Sequence, residues 1–459
     1  MSEASAIDAL REQLGGEVIG PADAGYEEHR RVWNGSIDKR PSVIARCAGV
    51  ADVIAAVRFA REHEMLTAVR GGGHSFPGLS TCDGGIVIDL SPMKAIAVDP
   101  ETRVATVQAG ALLGELDAAT QPYGLAVPAG IVTHTGVAGL TLGGGIGWQH
   151  RKYGLSIDNL RSVDLITAEG EFVKASEEEN ADLFWGVRGG GGNFGIVTEF
   201  EFDANPIGPM VLAGPVFWLM KDAPEVLRFY RDWVAECPDE LMTIIVTRRA
   251  PDIPIVPREL VGEHVIGVVV CWAGEIEEGE RFVQPLKALG SPALDLCTPM
   301  PFLTLQALLD PGFVPGAWYY VRSCDVAALN DDIVDIVAAQ GEKITSPITS
   351  IALWQMGGAV AKVGEGETAF NGRDAGFTFN INGNTLTGEG FEAERQWARD
   401  YWTALEPWHT GVYVNFLMEE GEERIREAYG AARYDRLKAL KQKYDPTNLF
   451  RLNQNIKPD

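Results

Sequence analysis

The sequence predicts an α+β protein of two domains, and three observations carry that reading. At 459 residues the chain is longer than one hydrophobic core ordinarily serves. Glycine is concentrated before Pro206, among short β-branched strands and helical segments. Past Asn205-Pro206-Ile207-Gly208-Pro209 the composition shifts to longer apolar strands separated by helical stretches, the pattern of a mainly antiparallel sheet flanked by helices. The expected division is 1–205 for a domain wrapped closely around a large ligand, 206–410 for a second domain, and 411–459 for a segment that returns to the first.

Composition narrows the partners. A hydrophobic fraction of 46% beside 22% charged residues is that of a globular chain. The formal net charge of −25 repels phosphate backbones and anionic lipid, which argues against nucleic-acid and membrane-surface partners. Met1 to Asp8 holds no basic stretch followed by an apolar run, and no long uncharged apolar run follows, so the expectation is an unexported, cytoplasmic protein. The six cysteines are scattered without a C-x-x-C pair, and His134 and His150 do not stand at metal-ligand spacing. Neither a disulfide framework nor a metal site is signalled, and His150 reads as a surface or turn residue.

In chain order, Ala6 to Glu28 mixes a short helix with a loop around Pro21, and Ser42 to Cys47 reads as a strand. Asp52 then caps a helical pattern from Val53 to Arg61. Met65 to Val69 is a short buried strand that runs straight into Arg70-Gly71-Gly72-Gly73-His74-Ser75-Phe76-Pro77-Gly78. Strands at Gly85–Leu90 and Val104–Gly110 and a helix from Leu112 to Gln121 lead to a second glycine-dense region, Gly136 to Trp148. A strand at Val163–Ala168 precedes a third glycine run, Arg188 to Gly195, and a strand from Ile196 to Phe202. In the second half, strands at Ile244–Thr247 and Val265–Trp272 alternate with helices at Pro224–Cys237 and Val326–Gln340, and an amphipathic helix extends to Lys443.

Successive glycines have no Cβ, so their amide N–H groups can approach a bulky anion such as a diphosphate. His74 then stands at the rim of that cradle. The alternative is a tight loop carrying a solvated histidine. Neither G-x-x-x-x-G-K-[ST] nor a Rossmann G-x-G-x-x-G in its strand–helix context is present, which argues against P-loop chemistry.

Taken together, R-G-G-G-H-S at Arg70–Ser75, G-x-x-x-H-T-G through G-G-G-x-G at Gly130–Gly147, R-K-Y-G-L-x-x-D-N at Arg151–Asn159, R-G-G-G-G-N-F-G at Arg188–Gly195, and the tail Y-x-N-F with Y-D-P-x-N-x-F at Tyr413–Phe450 resemble the vanillyl-alcohol oxidase / p-cresol methylhydroxylase (PCMH) superfamily. Within it, the chain is most similar to the berberine bridge enzyme-like oxidases. The resemblance implies a PCMH-type FAD-binding domain, a substrate domain that roofs the isoalloxazine, and FAD bonded covalently to His74. A second link in many relatives comes from a cysteine at the position that Val132 occupies here, so the resemblance implies attachment through one histidine.

The same resemblance implies that Arg70, Gly71, Gly72, Gly73, Ser75, Pro128, Gly130, Gly136, Gly139, Gly143, Gly144, Tyr153, Gly154, Asn159, Gly195, Val197 and Asn415 contribute to the cofactor site. It places Thr135 at the gate through which dioxygen reaches the flavin, although a threonine there also simply packs a turn. Tyr413 matches the active-site tyrosine, as base or orienting group, or else seals the domain junction. Tyr319, Tyr320, Trp354, Gln355 and Asn380 lie on strands of the substrate domain as further candidates, with Trp354 either a stacking wall or a core residue. The implied activity is oxidation of a small organic substrate (alcohol, amine, sugar or secondary metabolite) by hydride transfer to flavin N5, with O2 reduced to H2O2. A dehydrogenase using another acceptor and a non-catalytic flavin-carrying binding protein are the alternatives. Substrate identity and oligomeric state are not written in these motifs.

Overall fold

In a computed structural model, which describes residues 3–418 and 420–459, three large sheets and a two-stranded ribbon organise the chain. Met1, Ser2 and Glu419 lie outside the described residues, and with them the first part of the N-terminal stretch considered above.

A four-stranded sheet runs in the order Glu17–Ile19, Val43–Arg46, Ile86–Asp89, Thr67–Arg70. Its last three strands are parallel, which accounts for the continuous burial of Ile86–Asp89 between two neighbours. The helix Val50–Glu62 crosses over between them. Asp52 does not cap that helix, whose N-cap is Gly49; its carboxylate instead accepts the amides of Gly15, Gly16 and Ala48 and pins the N-terminal segment. A five-stranded antiparallel sheet follows in the order Ile96–Asp99, Val104–Gln108, Ile196–Asp203, Leu160–Ile166, Phe172–Ser176.

The second half forms a nine-stranded antiparallel sheet around Met210–Leu219, His264–Trp272, Leu241–Arg249, Ser350–Gln355, Phe377–Thr385 and Trp318–Val326. Side chains alternate between its faces. Leu241 and Ile245 join the core beneath the helices Ala223–Val234, Asp331–Gly341 and Phe391–Leu405, whereas Met242, Ile244 and Val246 pack toward Ile131, Val132, Ile146 and Tyr413. The expected helix at Val326–Gln340 begins later, because Val326 ends a strand and the Asn330 side chain caps the helix by accepting the Ile333 amide at 2.9 Å.

Residues of the tail pack into the core of the first half of the chain. The single amphipathic helix foreseen there is two, Glu422–Tyr429 and Ala431–Tyr444, because Gly430 adopts a positive φ of 72° and ends the first. Both pack into the core that also contains Leu183, Phe184 and Phe194. Lys441 and Asp445 form a fully buried ion pair at 2.7 Å, and the lysine also donates to the carbonyls of Asn193 and Phe450. Among the described residues no helix is long and apolar enough to cross a membrane.

Candidate active site

The three glycine-rich turns converge on one cleft of about 370 Å³. The strand Thr67–Arg70 delivers Gly71–Gly73 to its floor, and Gly73 takes a positive φ of 69° as the chain turns toward His74. A Cβ on Gly72 would lie 2.4 Å from the Gly136 nitrogen, so only glycine at both positions lets the first two turns touch backbone to backbone. Gly130, Gly139, Gly143, Gly195 and Val197 line the same floor, and a Cβ on Gly139 would meet nothing within 4 Å. The cradle therefore leaves room on its open side for a large group. That shape suits a flat cofactor with a phosphate tail.

His74 stands at one end. Its ring stacks on Trp33 with centroids 4.4 Å apart and planes 16° apart, and Trp33 in turn stacks on Tyr319 at 3.8 Å. The Trp33 indole N–H donates to the Phe313 carbonyl at 3.0 Å, which locks the stack across the two halves of the chain. His74 Nε2 lies 2.6 Å from His134 Nδ1. Burial, with a smaller contribution from His134, pushes the His74 pKa down from 6.5 to about 3, so the ring is neutral near pH 7. Asp310 sits beside this pair, its carboxylate accepting the Thr133 amide at 2.9 Å and the Thr133 hydroxyl.

Tyr413 closes the other end. Its hydroxyl oxygen accepts the Gly145 amide at 2.9 Å and the Asn415 side-chain amide at 2.7 Å, and Asn415 also donates to the Leu140 carbonyl at 2.9 Å. Burial raises the tyrosine pKa despite these donors. Phe416 packs edge-on to Tyr413 at 4.8 Å and contacts Trp354 at 6.3 Å. Trp354 is a core residue, 5% exposed, that also lines the cleft. Its indole N–H and the Asn380 side-chain N–H are buried without a hydrogen-bond acceptor among the described residues.

The structure brings Gly71, Gly72, Gly73, His74, Ser75, Gly130, Thr135, Gly136, Gly139, Gly143, Gly195, Val197, Tyr413 and Asn415 to this cleft. It places six other expected residues outside the cleft wall. Arg70 turns away to pair with Asp89 at 2.8 Å. The Pro128 carbonyl accepts the Ser156 hydroxyl at 2.7 Å. Gly144 packs under Phe370 and Gly154 under Asp158. Tyr153 donates to the Pro206 carbonyl, and Asn159 to the carbonyls of Tyr153 and Leu155. These six brace the turns. Tyr320 is likewise away from the cleft, under Arg395 and Arg399, and Gln355 faces Thr243 and Cys237.

His150 corrects a sequence expectation. It is fully buried, its ring nitrogens 2.6 Å from the Gly147 carbonyl and 2.8 Å from that of Gln355, because the glycine-dense loop is tucked beneath the large sheet. Three residues at the site went unassigned in the sequence: Trp33, His134 as partner of His74, and Arg248 on the sheet face above the cleft. Arg248 left a signal in the alternation Ile244, Val246, Arg248 along one strand, and His134 stood in the G-x-x-x-H-T-G motif without a role, whereas Trp33 left none.

Comparison with known proteins agrees with this geometry. Residues 41–176 match the FAD binding domain family and residues 412–457 the family described as berberine and berberine like. An FAD-linked oxidoreductase of Dictyostelium discoideum is 32% identical over 98% of this chain and 97% of its own. The (R)-6-hydroxynicotine oxidase of Paenarthrobacter nicotinovorans is 32% identical over 97% of each. The crystal structure of 6-hydroxy-D-nicotine oxidase from Arthrobacter nicotinovorans superposes with a TM-score of 0.88 at 30% identity, covering 97% of this chain and 98% of that one.

Proposed function

The chain belongs to the berberine-like FAD-linked oxidoreductases, and from that premise we propose that it is an oxidase holding its FAD through one covalent bond to His74. Its substrate is a small organic molecule bearing an oxidisable C–H bond. The chemistry that FAD supplies when bound is acceptance of a hydride at N5 and return of the electrons to dioxygen as hydrogen peroxide.

The observation that carries the reading is the neutral, buried His74 at the mouth of the glycine cradle, stacked on Trp33 and 2.6 Å from His134. With His74 Nε2–H donating its hydrogen bond to His134 Nδ1, the neutral ring carries its free lone pair on Nδ1. That nitrogen would be the one to hold the flavin at its 8α carbon, with His134 placed to take up the Nε2 proton as the bond forms. Val132, which lines the same cleft, offers no thiol for a second bond. Thr135 keeps a small side chain where dioxygen would approach. The Tyr413 oxygen already accepts two hydrogen bonds and burial keeps it protonated, so at neutral pH its own O–H orients the substrate heteroatom by donation.

Acid precipitation of the purified holoprotein tests the attachment. The yellow colour is expected to stay with the pellet in the wild type and to wash out of His74→Ala. Colour released from the wild type, or retained by His74→Ala, overturns the assignment.

A further inference from the structure

Arg248 is the only Asp, Glu, Lys or Arg side chain that lines the cleft among the described residues. It ends the inward-facing series Ile244, Val246, Arg248 and pairs in register with Ser350, one strand over. Its surroundings are apolar: Leu309, Phe313, Ile348 and the backbone of Gly312, from which a Cβ would lie 3.7 Å from Arg248 Nη1. A guanidinium has five N–H donors. Among the described residues only two find acceptors, in long bonds of 3.2 Å to the Arg249 carbonyl and 3.4 Å to that of Pro347. No carboxylate of the described residues comes within ion-pairing distance, and Asp310, on the adjoining turn, is held by Thr133. Burial accordingly pulls the Arg248 pKa down with no neighbouring anion to offset it.

A chain of net charge −25 that leaves one cation unpaired inside an otherwise uncharged cleft has placed it for a ligand. Resting on the oxidase reading above, we infer that the substrate carries a carboxylate, which Arg248 receives while the oxidisable carbon lies toward Tyr413. One positive charge balances a monoanion; a phosphate dianion would leave a second charge uncompensated in the same apolar walls. The planar fork of arginine also matches the two oxygens of a carboxylate. Register sets the length. Trp354, beside the Tyr413–Phe416 pair, is opposite Ile244, four residue pairs along the ladder from the Arg248–Ser350 row, which amounts to about 13 Å along the strand. The substrate is therefore extended, with its acid and its reacting carbon at opposite ends. The unpartnered N–H of Asn380, paired with Ala352, lies between those ends and that of Trp354 at the reacting end, so both serve acceptors along the substrate's length.

The test titrates purified protein with benzoate, phenylacetate, 4-phenylbutyrate and decanoate, each against its own primary amide. Binding is read from the flavin absorption band and independently from tryptophan fluorescence. At least one acid is expected to bind tenfold or more tightly than its amide in the wild type. That ratio should fall to about one in Arg248→Met and recover in part in Arg248→Lys, with flavin content and melting temperature unchanged. No acid preferred over its amide in any pair, or a preference that survives in Arg248→Met, overturns the inference. The wild-type comparison decides the matter even where a variant fails to fold. Absence of bound flavin from the wild type would sink the oxidase reading instead, and the fluorescence titration would still judge Arg248.

Discussion

Substituting alanine at Gly139 separates a cofactor cradle from a merely glycine-rich turn. Gly139 lies inside the short helix Val137–Leu142, is exposed and lines the cleft, and an added Cβ there meets no atom within 4 Å. In the flavin-free protein, then, alanine fits without strain, and its better helix propensity adds about 1 kcal/mol. For a chain of this length that raises the melting temperature by about 1 °C. With FAD seated against the helix, the same methyl occupies the cofactor's space. Overpacking of that kind costs about 1–3 kcal/mol, roughly a 5- to 150-fold loss of non-covalent affinity before attachment. The assay is the ratio of flavin to protein absorbance after purification, with the melting temperature of the flavin-free fraction measured alongside. The expected result is a slightly more stable protein that carries much less flavin. Gly139→Ala with full flavin occupancy would refute the placement of the cofactor against this helix.

Tyr413→Phe removes the only hydroxyl to which the Gly145 amide donates, and is expected to lower kcat/KM at least tenfold while flavin remains attached; steady-state peroxide release measures it. Stability should fall as the solution is acidified. The buried His150 ring has its pKa pushed down from 6.5 to about 4, so between those values the unfolded chain binds a proton that the folded chain refuses. The stability present above pH 6.5 is therefore lost progressively toward pH 4, by about 3 kcal/mol from this ring alone. Denaturant melts from pH 7 to pH 4.5 should show that slope in the wild type and a shallower one in His150→Gln; equal slopes would remove His150 from the account.

The sequence made the glycine cradle legible because its constraint is local and steric. Gly72 and Gly136 must lack a Cβ for two backbones to touch, and a run of glycines states that need directly. Likewise the alternation along Leu241–Arg249 follows from the two-faced sheet. What the sequence hid depends on distant partners. Trp33 is defined by Phe313 and Tyr319, some 280 residues away, and nothing near it in the chain distinguishes it from a core tryptophan. Arg70 shows the converse: it adjoins the cradle in sequence, yet Asp89 on the neighbouring parallel strand takes its guanidinium. His150 looked exposed because its flanking residues are polar, whereas the loop carrying it is covered by a sheet built from residues that come much later.

The make-up of the cleft also fixes when a cofactor can be captured during biosynthesis. Gly71–Gly73 and their strand leave the ribosome early, but Asn453 and Gln454, which wall the same cleft, are translated about 380 positions later. Until those residues have emerged and Lys441 has found Asp445, an FAD molecule meets a half-built berth open to water. Flavin loading must therefore follow synthesis of the tail, and messages truncated before it should yield colourless protein.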